Sequence, residues 1–157
     1  MSQSFEMVAK YVHYVGSDLE SLQFNHLKHE TLTAVSNLDF SASVNLLHLS
    51  IDGAVYFDEN TEVLAVSPRL LALLSNVARH TRLQTIEIRV EWEFPRLPEL
   101  PLPLSRLGEM FRADELASLH TISFTSPLVY HDSDKIWPSV IAMLQASIAD
   151  SRVVFIL

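Results

Sequence analysis

Two clusters of imidazole and carboxylate side chains offer the most direct chemistry in this sequence. His26-Leu27-Lys28-His29-Glu30 sets two imidazoles three residues apart beside a carboxylate, which could bind a metal ion if the segment were helical. It fits neither H-E-x-x-H nor H-x-x-E-H, and a solvated loop or helix start accounts for it more simply. Tyr130-His131-Asp132-Ser133-Asp134 gathers hard ligands in one segment. A turn in which Ser133 or Asp134 caps the next helix explains the same residues without a ligand. The acidic group Asp52, Asp58, Glu59 and Glu62 lacks the alternate-position carboxylates and sharp-turn glycine of a calcium loop, so it reads as surface loop. His48, Ser50 and Asp52 alternate and would share one strand face, imitating a nucleophile triad. Such neighbours stand roughly 7 Å apart, too far for direct hydrogen bonds. With three glycines in the chain, a phosphate-cradling loop has little support.

The tract Pro95-Arg96-Leu97-Pro98-Glu99-Leu100-Pro101-Leu102-Pro103 carries two overlapping P-x-x-P spacings and favours extended polyproline backbone, the form that aromatic-lined grooves bind. Its alternate leucines suit a stiff connector lying on the core better. On this reading residues 91–103 form an irregular linker, anchored by Trp92 and Phe94.

Composition narrows the classes that remain. The 157 residues are 48% hydrophobic and 19% charged, enough apolar surface to build one folded domain. Nineteen acidic against eleven basic residues leave a net charge of -8, which repels phosphate backbones and argues against nucleic acid. No cysteine is present, which rules out disulfides and thiolate metal sites and fits the cytoplasm or nucleus. A basic, apolar leader and an 18-residue apolar run are both absent from the sequence, so no membrane association is expected.

The elements that would position any site follow from a recurring apolar spacing, seen at Leu19/Leu22/Phe24, Leu46/Leu49/Ile51, Leu83/Ile86/Ile88 and Leu119/Ile122/Phe124, with a weaker copy at Ser151/Val154/Ile156. Helical periodicity precedes most copies. Phe5, Val8, Val12 and Val15 lead to Gly16 as a helix-ending residue, and Ser67 with Pro68 opens a helix carrying Leu70, Leu71, Leu74 and Val77. A third helix starts near Ser105 with Leu107, Met110 and Phe111. A fourth carries Pro138, Val140, Ile141, Leu144 and Ile148. Between Phe24 and Leu46 only a short turn at Leu32, Val35 and Leu38 is indicated. Each strand must return through a crossover, so neighbouring strands run parallel.

Two architectures have this order, a doubly wound parallel sheet and a solenoid with one open strand face. Polar residues alternate through the strands, as in Glu20, Ser21 and Gln23 or Gln84, Thr85 and Glu87, whereas central strands of a doubly wound sheet read as continuous apolar runs. The solenoid is therefore preferred. Its leucine pattern, long repeats and helix-gap-strand order, in phrases such as Tyr14-Val15-Gly16-Ser17-Asp18-Leu19-Glu20-Ser21-Leu22 and Asn45-Leu46-Leu47-His48-Leu49-Ser50-Ile51, resemble the leucine-rich-repeat portion of fungal F-box-type proteins with ribonuclease-inhibitor-like folds. The asparagine that follows the strand in such repeats is replaced by Leu27, Ala54, Glu91 and Pro127. The nearest approach to an F-box, Leu100-Pro101-Leu102-Pro103-Leu104, sits mid-chain after a strand.

The sequence thus predicts an α/β fold, a leucine-rich-repeat-like solenoid of about five irregular helix-strand repeats, with the doubly wound sheet as alternative. It covers residues 1–157 as a single domain or as a fragment of a longer solenoid. The expected function is non-catalytic recognition of a protein partner through the concave strand face, with no catalytic residues, no metal and no cofactor. The binding residues are Ser21, Gln23, His48, Ser50, Thr85, Glu87, Arg89, Thr121 and Ser123. The resemblance adds a second reading, a substrate-receptor fragment of an F-box ubiquitin ligase. A third is a small hydrolase or metal enzyme using the histidine-bearing loops. Arg152-Val153-Val154-Phe155-Ile156-Leu157 forms a strand with almost no polar alternation, so its edge must be covered or self-associate. Val154 and Ile156 are expected in the core with Leu144 and Ile148. Val153, Phe155 and Leu157 would then lie under a loop or another subunit.

Overall fold

A computed structural model describes residues 3–25, 35–58, 63–91, 103–125, 138, 141–142, 144–146, 148 and 152–156. Helix α1 (Gln3–Val15) stops at Gly16, whose φ of 51° suits glycine, and a 3-10 turn (Gly16–Asp18) leads into strand β1 (Ser21–Phe24). Strand β2 (His48–Asp58) is followed by β3 (Val63–Val66), and Ser67 then caps helix α2 (Pro68–His80), its Oγ accepting the Arg69 N–H at 3.3 Å. Proline at the first helical position costs no hydrogen bond, because that N–H has no partner within the helix. Strand β4 (Thr85–Glu91), helix α3 (Pro103–Phe111) and strand β5 (Thr121–Thr125) follow. Residues 138, 141–142, 144–146 and 148 are helical, and β6 (Val153–Ile156) lies beyond them.

Five strands pair in parallel in the order β1-β2-β4-β5-β6, the order in which these five follow along the chain. A doubly wound sheet reverses its order at a switch point; the described strands show no reversal. Crossovers of one hand that always advance in one direction put their helices on one face. Packing agrees with this. Val12 of α1, Leu70, Leu73, Leu74 and Val77 of α2, Leu107 and Phe111 of α3, and Leu144 and Ile148 share one core with the inward strand residues.

Register converts the apolar spacing into layers. Leu22, Leu49, Ile86, Ile122 and Val153 stand opposite one another across the sheet, as do Phe24, Ile51, Ile88, Phe124 and Phe155. Leu19, Leu46, Leu83 and Leu119 are buried just ahead of their strands. Each repeat also hands its backbone to the next in the same way. Glu20 O accepts the N–H groups of Leu47 and His48, Leu47 O those of Gln84 and Thr85, and Gln84 O those of His120 and Thr121. The residues before Leu46 and Leu119 reach back a repeat: Asn45 Nδ2 donates to Ser17 O and Ser118 Oγ to Leu83 O, both at 2.9 Å.

Two expectations need correction. Asp52–Asp58 is not a loop but the second half of β2. Gly53, at φ 83°, sits at a bulge between Asp52 and Val55 that re-aims the strand without ending it. Past the bulge, β2 pairs antiparallel with β3, Val55 opposite Val66 and Asp58 opposite Val63. The second correction concerns β6. Val153, not Val154, stands opposite Ile122 and packs against the core, while Val154 and Ile156 are each 48% exposed. A slip of one residue exchanges the two faces of a strand, so the fifth copy of the spacing is displaced by one position.

Candidate functional site

The outward strand positions form rows across the sheet. Ser21, His48, Thr85 and Thr121 are aligned in one row, and Gln23, Ser50, Glu87 and Ser123 in the next. Successive side chains of a strand point to opposite faces, and the inward positions of these strands belong to the helix-covered core, so both rows face away from the helices. The four strands thus bring together eight of the nine candidate binding residues, and Arg89 begins a third row with Asp52 and Thr125. That row was only partly read from sequence. Asp52 and Thr125 follow from the same alternation, two residues beyond Ser50 and Ser123.

Exposure falls from the β1 end toward β5. Ser21, Gln23 and His48 are exposed, Ser50, Thr85, Glu87, Arg89 and Thr121 half-buried, and Ser123 is buried at 6%. The expectation that Ser123 is solvent-facing therefore fails, although its place in the row holds. Its short side chain stands between Glu87 and Val154 in register, and its Oγ donates to Ile86 O at 3.4 Å. Size matters as much as polarity at such a position.

Charge on this face centres on β4, where Arg89 Nε lies 3.2 Å from Glu87 Oε1 with both side chains partly exposed. A solvent-accessible pair of this kind contributes under about 1 kcal/mol to folding, so either charge can be exchanged for a contact with a partner at small cost. At the β1 end Gln23 Nε2 donates to Asn25 Oδ1 at 2.8 Å. Val154 and Ile156 extend the second and third rows onto β6, where the face becomes apolar.

The triad-like set does not assemble. His48, Ser50 and Asp52 lie on β2, but Ser50 Oγ is buried and makes no hydrogen bond, so no base activates it. Thr125 Oγ1, in the third row, is likewise buried without a partner. Among the described residues no three His, Asp or Glu side chains group as a metal site, and no helix is long and apolar enough to cross a membrane. The segments 26–30 and 130–134, the proline tract from Trp92 to Leu102, and Glu59 and Glu62 lie outside the described residues. Comparison of the chain with protein-family models, curated protein sequences and solved structures gives no match.

Proposed function

We propose that this chain is a non-catalytic recognition module, a leucine-rich-repeat-like solenoid whose strand face binds a protein partner. The observation that supports this reading is the register that aligns Ser21, His48, Thr85 and Thr121 beside Gln23, Ser50, Glu87 and Ser123 on the face away from the helices. Parallel repeats of this kind present side chains from several strands to one extended ligand. Hydroxyl, amide and imidazole groups flank the Glu87–Arg89 ion pair and give way to Val154 and Ile156. That mixture suits a polypeptide surface, and a net charge of -8 disfavours nucleic acid.

The test takes a partner isolated by affinity purification and identified by mass spectrometry. Glu87→Lys and Arg89→Glu should each weaken binding by about tenfold or more, equivalent to about 1.4 kcal/mol, while the melting temperature stays within about 2 °C of the parent. Unchanged affinity, or a loss of stability that accounts for the loss of binding, contradicts the proposal.

A further inference from the structure

Building on the reading that the strand face binds a protein partner, we propose that it selects a basic residue of that partner, a lysine or arginine whose head group sits over β2 and β4 against Ser50, Asp52 and Glu87. Acidic and basic residues are segregated in this fold. Among the described residues the strands carry four acidic residues, Asp52, Asp58, Glu87 and Glu91, and one basic residue, Arg89. The other described lysines and arginines lie on helices or in the connections that leave them. A cationic segment therefore meets fewer like charges on the strand face than on the helical one, and the net charge of -8 favours its approach.

Register narrows the attraction to one spot. Ser50 stands opposite Glu87, and Asp52 follows two residues along β2 on the same face. Neighbouring strands run about 4.8 Å apart and alternate residues of one strand about 7 Å, so a single ammonium or guanidinium group above Ser50 can reach both carboxylates. Ser50 is shorter than Gln23 and Glu87, its neighbours in the row, which makes the spot a depression. Its floor is an unused polar group. Ser50 Oγ is buried without a hydrogen-bond partner, whereas Ser123 Oγ in the same row donates to Ile86 O. A buried hydroxyl left unpaired is costly, and a donor from outside relieves that cost. Three acceptors thus converge, Ser50 Oγ and the two carboxylates, which suits the several N–H donors of a basic head group. No third His, Asp or Glu joins Asp52 and Glu87 as a metal site among the described residues. Arg89 is a positioning residue here: its Nε holds Glu87 Oε1 and leaves Oε2 for the ligand. Reversing Arg89 to glutamate would push that carboxylate away, so it disturbs the site in spite of the negative charge it adds.

The probes are random peptides displayed on phage and selected on the intact chain, the tightest of them then synthesised with a fluorescent label. They should share a lysine or arginine whose replacement by glutamine raises the dissociation constant by about tenfold or more, and added salt should weaken their binding. Asp52→Asn and Glu87→Gln keep the shape of each side chain, and each should weaken the same peptide several-fold while the thermal melt stays within about 2 °C of the parent. A peptide with glutamate at its basic position should bind the Glu87→Lys variant better than it binds the parent chain. No binder, peptides without a shared basic position, or a basic position indifferent to both neutral variants would each overturn the inference. Thr85→Tyr and Thr121→Tyr add neutral bulk to the same face and separate the two levels of the proposal. Peptides that these variants weaken, yet that lack a basic position, leave strand-face recognition standing and remove only its selection of charge. Peptides indifferent to both tyrosines bind elsewhere, and both readings then fall.

Discussion

β5 and β6 are neighbours in one sheet, yet only one of them declares in its sequence which way it faces. In Thr121-Ile122-Ser123-Phe124-Thr125 every position between the apolar residues is polar, so a single phase can be buried. In Val153-Val154-Phe155-Ile156 both phases are apolar, and hydrophobicity cannot choose between them. Phase is fixed by what must stay outside as much as by what is buried. For β6 the anchor is polar and lies before the strand. The Arg152 guanidinium gathers the carbonyls of Phe111, Leu116 and Leu119, at the end of α3 and along its connection to β5, and this holds Val153 opposite Ile122. Arg112 makes the reciprocal contact, donating to Ile148 O at 2.9 Å.

Substitutions can break or sharpen this contrast. The largest effect belongs to the inward row: Phe124→Ala removes a fully buried ring and should cost ~3–5 kcal/mol in denaturant unfolding, whereas Val154→Ala, one row outward on β6, should change stability by less than ~0.5 kcal/mol. Equal costs would mean that Val154 is buried and that β6 has the phase read from sequence. Next comes the polar anchor. Arg152→Ala leaves three carbonyls without their charged donor and should destabilise by about 2 kcal/mol, with Arg152→Lys recovering only part of it, since one ammonium cannot reproduce the guanidinium fork. A full recovery by lysine would show that charge alone, without the fork, sets the register.

Much of the architecture was legible where several signals coincided. Leu19, Leu46, Leu83 and Leu119 with their strands were readable because polar residues filled the alternate positions, and Ser67-Pro68 and Gly16 marked helix ends by mechanisms that act within a few residues. The candidate rows followed from the same alternation, since fixing the inward residues fixes the outward ones. The rest depended on neighbours that the local sequence does not name. Gly53 looks like a loop residue until β3 is seen to pair with the continuation of β2. Ser123 is polar and correctly aligned, but its burial depends on Glu87 and Val154, which are distant in the chain. The register of β6 rests on Arg152 meeting carbonyls more than thirty residues away.

The proposal that the strand face is open is tested most directly by thiol labelling of the native protein, since no cysteine competes. Cysteines placed singly at Gln23, His48, Thr85 and Thr121 should react with a small maleimide in the folded state. A cysteine at Ala78, a buried residue of α2, should react only on unfolding. If Thr85→Cys and Thr121→Cys prove as protected as Ala78→Cys, a second layer covers this face, and recognition through the strands is contradicted.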